Sequence, residues 1–165
     1  MDASTLRARA RPWPKGHTFE DFTVGDRFEH HWGRTLTESD TVTFSALTLS
    51  YNPAHFNAEY ARGQGHQGLV VNPMLVFLTV FGLSVQDLSE AGGAFLGVNA
   101  LTFHRPVAVG ETLTAASTVT AIRESKSRPT QGIVTWHTEG RSGAELIIDF
   151  ERTNLIRKRD AEERP

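Results

Sequence analysis

At 165 residues, 39% hydrophobic and 22% charged, the chain has ordinary globular composition and enough length for one domain with a sizeable core. A formal net charge of -2 leaves no basic excess to set against phosphates, which argues against a nucleic-acid partner. The absence of cysteine excludes disulfides and thiolate metal sites and fits a reducing, cytoplasmic setting.

Residues 1–17, rich in arginine, alanine and proline, contain no apolar run of the secretory type and are expected to be a disordered arm. "DRFEHHWGRTLT" then reads as an extended segment. Its His30 and His31 are the only adjacent pair among seven histidines. Neighbours on a strand point to opposite faces, so no metal-ligand spacing is present and no metal site is expected. Thr37, with Asp40 three residues on, is a variant capping box. It predicts a short helix over roughly 38–48 with Val42, Ala46 and Leu49 on one side. An Asn52-Pro53 loop carrying His55 follows, and Asn57 caps a second short helix, "AEYARG".

Asn72 as cap and Pro73 at the first helical position open a third helix, "PMLVFLTVFGLSV". Met74, Leu78, Phe81, Val85 and Leu88 keep helical spacing, while Leu75, Val76, Phe77 and Val80 fill the other faces. The run is shorter than the roughly 20 residues that cross a bilayer, so no membrane is expected and other structure must wrap this helix. Four strand-like segments come next: "AFLGVNALTFHRPV", "ETLTAASTVTAIRES", "QGIVTWHTEG" and "ELIIDFERTNLI". Turn signals at "VGE", "SRPTQG" and "RSGAE" separate them. The chain closes on a charged tail, 158–165.

This order predicts one α+β domain over 18–157, an antiparallel sheet wrapped round one long central helix, which is the hot-dog fold. Such a sheet keeps an open edge, and a second copy is the expected cover, giving a homodimer or a higher homo-oligomer.

"FEDFTVGDRF", "TESD", "YNPAHFNAEYA", "NPMLVF" and "FHRPVAVGETLTA", in this order, resemble the MaoC-like, R-specific enoyl-CoA hydratases over roughly residues 19–157. The resemblance implies addition of water to a 2-enoyl thioester of coenzyme A, or its removal. No cofactor is implied, because coenzyme A is part of the substrate. The family motif is an aspartate followed five residues later by a histidine, with Asn-Pro between them. The histidine falls on His55, and the aspartate position is Ser50. On the residues alone, His55 is either a turn residue or an acid/base group; the motif around it favours the second. A serine hydroxyl orients water but is no carboxylate base. The family glycine at the start of the central helix, whose N–H receives the thioester oxygen, is Pro73 here, which has no N–H. The Met74 N–H or the Asn72 side chain is the expected replacement.

"HHWGRT", "SYNPAHFNAEYA", "VVNPMLVF", "FLGV" and "RESKSRP…GIVTW" look like the mesaconyl-CoA and itaconyl-CoA branch, whose substrates are branched C5 dicarboxylic thioesters. Arg105 and Arg128 are the candidates to hold the extra carboxylate, each with the alternative of an ordinary surface arginine. Two other readings stay open, a hot-dog thioesterase and a non-catalytic hot-dog partner subunit. The first normally wants a carboxylate on or facing the central helix, and the segment from Pro73 to Ser84 has none.

Overall fold

The computed structural model describes residues 2–10 and 16–159. In chain order its elements are α1 (Ala3–Arg9), β1 (Arg27–Thr35), α2 (Glu38–Leu47), α3 (Ala58–Gly63), α4 (Pro73–Leu88), β2 (Phe95–Phe103), β3 (Thr112–Glu124), β4 (Gln131–Ser142) and β5 (Glu145–Arg157). Short 3-10 turns lie at Phe19–Asp21 and Pro53–His55. The five strands form one sheet in the order β1-β3-β4-β5-β2, antiparallel throughout. With α4 against its face, this is the hot-dog fold.

Alternation along the strands decides which face meets α4. In β4 every second residue from Gly132 to Gly140 is buried, as a half-covered strand requires. Val76 and Val80 of α4 pack into a core with Leu113, Ala115, Ile147, Ile148 and Phe150. Gly140 is where the helix comes down on the sheet. A β-carbon there would stand 2.5 Å from Val80 Cγ2 and 2.6 Å from Ile148 Cγ2, so only glycine fits. A second cluster, Phe22, Leu88, Val119, Val134, Trp136 and Ile156, closes the other end of α4.

The sheet wraps α4 on one side only. Val76, Val80 and Leu88 are buried, whereas Met74 and Leu78 are 46% and 48% exposed. The edge strand β2 is similarly bare, with Phe95 and Leu96 half exposed.

Two sequence expectations change. Helix α2 buries Thr41 and Ser45, while Val42 and Leu49 face out. The reason is polar: both hydroxyls are hydrogen-bond partners of Asn72. The arm expected to be disordered contains α1, and Gly16 and His17 already dock on the fold. The Gly16 N–H donates to the Gln86 carbonyl at 3.3 Å, and His17 Nδ1 lies 2.6 Å from the Asp87 carbonyl oxygen. Residues 11–15 and 160–165, which cover part of the expected arm and most of the charged tail, lie outside the described residues. Among the described residues no helix is long and apolar enough to cross a membrane, and no group of three or more His, Asp or Glu side chains is placed to hold a metal.

Candidate active site

The chain leaves α2 through Leu49, whose φ of 57° is a left-handed turn. It reaches Asn52 in the extended conformation that a following proline imposes. Asn52 Oδ1 accepts the Ala54 N–H at 3.1 Å, and the Asn52 carbonyl accepts the His55 N–H at 3.1 Å. The turn is thereby closed before any tertiary contact is made. Val70 then clasps it from both sides. Its N–H donates to the Ala54 carbonyl at 3.0 Å, and its carbonyl lies 2.9 Å from His55 Nδ1.

This clasp fixes the tautomer. A carbonyl only accepts, so Nδ1 carries the hydrogen and Nε2 keeps its lone pair. His55 is buried, and Nε2 has no hydrogen-bond partner among the described residues. The ring forms part of the wall of a cavity of about 480 Å³ beside the start of α4. Asn52, His66, Pro73, Val76, Phe103, His104 and Arg105 also line it, and among the described residues no carboxylate does.

Asn72 is the hub beside this cavity. It is 2% exposed. Its Oδ1 accepts the Met74 N–H at 3.0 Å, and its Nδ2 donates to Ser50 Oγ at 3.0 Å and Ser45 Oγ at 3.3 Å. Its backbone carbonyl takes the Leu75 and Val76 N–H groups. The expected thioester-oxygen donors are therefore both engaged: the Met74 N–H in capping α4, the Asn72 Nδ2 group on the Ser50 and Ser45 hydroxyls. Ser50 does not line the His55 cavity. It lies in a separate recess with Phe44, Thr48, Asn72, Met74 and Leu78, and its role in the fold is to hold Asn72.

The two arginines also separate. Arg105 lines the cavity, but its guanidinium is engaged. Glu111 takes a two-pronged contact at 2.9 and 2.8 Å, Glu145 accepts from Nε at 2.9 Å, and the Pro106 carbonyl accepts at 2.9 Å. That contact with Arg105 pulls the Glu111 carboxyl down to about 2. Arg128 is not at the cavity. It sits in the β3–β4 turn, 3.4 Å from Gln131 Oε1. The neighbouring Gly132 packs under Phe19, in the cluster around Leu88 at the C-terminal end of α4. His55 is at the other end of a 16-residue helix, about 24 Å long.

Three lining residues were not singled out from sequence: Asn52, His66 and His104. Asn52 Oδ1 is fixed by the Ala54 N–H, which leaves the Nδ2 donor group without a partner among the described residues. The Asn-Pro pair flagged a turn but not the amide's second function. His66, inside the glycine-rich "GQGHQG", and His104 carry no periodic or spacing signal.

A second polar constellation is sealed in the core. Asp87 Oδ2 lies 2.5 Å from His30 Nδ1, His30 Nε2 lies 2.9 Å from Ser117 Oγ, and Ser117 meets Thr138 at 2.8 Å. All four residues are buried. Burial, ahead of the opposing contact with Asp87, holds the His30 imidazole below its ordinary range. Nearby Arg152 is fully buried, donates to Ser84 and Ser89 Oγ at 2.6 Å each, and stacks 4.3 Å from the Phe81 ring centre. Its pKa is pushed down to about 10 by burial.

Comparison with known proteins gives one consistent picture. A family model described as mesaconyl-CoA hydratase matches residues 2–164. The mesaconyl-CoA hydratase of Haloarcula marismortui is 41% identical over 158 residues, which is 94% of this chain and 44% of that protein. The chain thus spans less than half the length of that relative. A solved MaoC-domain protein from Chloroflexus aurantiacus superposes with a TM-score of 0.82 at 31% identity, over 91% of this chain and 44% of that one. A Mycobacterium tuberculosis protein with a double hot-dog fold matches at a TM-score of 0.77 and 22% identity, over 91% of this chain and 47% of that one.

Proposed function

The chain belongs to the mesaconyl-CoA hydratase family, and from that premise we propose that it adds water to, or removes it from, a short branched 2-enoyl-CoA thioester, a C5 dicarboxylic one in particular. The observation that carries the reading is His55, which lines a cavity at the start of α4 and is locked through Nδ1 by Val70, with Nε2 unpartnered among the described residues.

His55 Nε2 takes a proton from water while the water oxygen bonds to the β-carbon of the enoyl group. The double-bond electron pair moves toward the thioester carbonyl, giving an enolate. The imidazolium then returns its proton to the α-carbon. One molecule of water is added, nothing is oxidised or reduced, and one base serves both transfers. Among the described residues no carboxylate lines the cavity, which suits a mechanism in which the histidine acts alone.

Enolate charge needs a donor, and the first N–H groups of α4 are committed. The Asn52 Nδ2 group is the donor in this reading, assisted by the positive end of the α4 dipole, which Pro73 presents to the cavity without an N–H of its own. Two copies of the chain, associating through the bare β2 edge and the exposed Met74–Leu78 stripe, complete the assembly.

The capped α4 start favours one alternative, a partner subunit without activity. The thioesterase reading lacks its carboxylate, since Asp87, the acid of α4, is 3% exposed and bound to His30. Incubation with mesaconyl-CoA, itaconyl-CoA and crotonyl-CoA tests all three, with enoyl absorbance reporting hydration and free thiol reporting hydrolysis. Hydration without thiol release is expected. Thiol release would point to the thioesterase, and inertness toward the whole set to the partner subunit.

A further inference from the structure

A dicarboxylic acyl group brings a second carboxylate into the His55 cavity, and a carboxylate leaving water requires donors there. The wall offers few. Arg105 has its guanidinium spread over Glu111, Glu145 and the Pro106 carbonyl. His104 faces Asp149, with Nε2 and Oδ2 3.5 Å apart, so an added carboxylate would compete with one already present.

His66 is different. Its imidazole is half-buried and has no hydrogen-bond or ion-pair partner among the described residues. Its backbone is nonetheless fixed. α3 ends at Gly63 with Gln64 as its C-cap, Gly65 turns left-handed with φ 90°, and the His66 N–H donates to the Ala61 carbonyl at 3.1 Å. Four residues later the same segment supplies Val70, the residue that orients His55. One stretch of chain therefore sets two imidazoles into the wall of one cavity, one braced by a carbonyl and one left with its polar atoms unused. An imidazole donates an N–H in its neutral form and two when protonated, so it serves a carboxylate in either state.

We infer that His66 receives the free carboxylate of a dicarboxylic acyl group and sets the preference for such thioesters over monocarboxylic ones. The inference rests on the hydratase reading for the class of substrate. It does not rest on that reading for its test, because saturated analogues that cannot be hydrated probe the same site. Calorimetric titration of the full chain with methylsuccinyl-CoA and with butyryl-CoA gives a ratio of dissociation constants. His66→Ala should reduce the preference for methylsuccinyl-CoA by about tenfold or more, the scale of one hydrogen bond to a charged group. His66→Gln keeps an N–H donor and should retain part of the preference. Both variants should melt near the wild-type temperature. An unchanged ratio in His66→Ala, or a wild-type chain that binds the two analogues alike or not at all, overturns the assignment. Selective binding without hydration of mesaconyl-CoA would instead sink the hydratase reading and leave His66 standing.

Discussion

The Val70 carbonyl sits 2.9 Å from His55 Nδ1, and this contact decides which nitrogen of the ring keeps a lone pair. If Nε2 is that base, His55→Ala should lower turnover of the best enoyl-CoA substrate by at least about 100-fold, the usual contribution of a general acid/base group. The melting temperature should stay close to that of wild type. Activity within a few-fold of wild type would remove His55 from the chemistry.

In the proposed reaction Asn52 stabilises the enolate through Nδ2. Asn52→Asp keeps an acceptor for the Ala54 N–H but replaces the donor by a negative charge. Turnover should fall by about 100-fold or more, as for loss of an oxyanion donor. Circular dichroism should show the fold retained. A variant as active as wild type would show that the thioester oxygen is met elsewhere.

The hydrogen bond from Asn72 Nδ2 to Ser50 Oγ predicts that Ser50 contributes to stability more than to the reaction. Ser50→Ala removes one acceptor of the buried Asn72 amide and should cost about 1 kcal/mol in urea unfolding, with turnover changed only a few-fold. A loss of activity as large as that of His55→Ala, at unchanged stability, would return Ser50 to the catalytic set.

Glu111 links the Arg105 cluster to pH. Contact with Arg105 depresses its carboxyl from an ordinary 4.5 to about 2 in the folded chain. The unfolded state binds the proton first on acidification. The stabilisation is therefore present in full above about pH 4.5 and fades as pH falls toward about 2. Comparing wild type with Glu111→Gln, the difference in unfolding free energy should shrink across that window. A difference constant from pH 7 to pH 3 would contradict the linkage.

Gly140→Ala should destabilise the domain by about 1–3 kcal/mol, the usual cost of overpacking a core, because its β-carbon would overlap Val80 and Ile148. Thermal melts that coincide with wild type would mean that α4 sits less tightly on β4 than these distances require.

The fold was legible because its signals are local and repeated. The Thr37 and Asn57 caps hold, with side-chain bonds to Asp40 and Tyr60. Asn72-Pro73 opens α4, and the four expected C-terminal strands are present, with clean alternation of burial in β4. Helix α2 buries a polar face instead of an apolar one, which hydrophobic periodicity does not foresee because it ignores what a polar side chain has to satisfy. Thr41 and Ser45 face inward to serve Asn72, a residue about 30 positions away. The site was legible only where one short motif carries it. His55 lies in the cavity wall, but the helix-start donors are occupied, Ser50 lies in another recess, and Arg128 is at the far end of α4. Partner saturation of this kind is invisible to spacing, because Arg105 meets Glu145 across 40 residues and His55 needs a carbonyl 15 residues on.

The buried chain of Asp87, His30, Ser117 and Thr138 has the connectivity of a serine hydrolase relay, carboxylate to imidazole to hydroxyl. Such a relay attacks only what reaches its hydroxyl, and Ser117 has no exposed surface in the single chain. Solvent access separates the two cases: an organophosphate reagent that marks serine nucleophiles will leave Ser117 untouched in the folded protein.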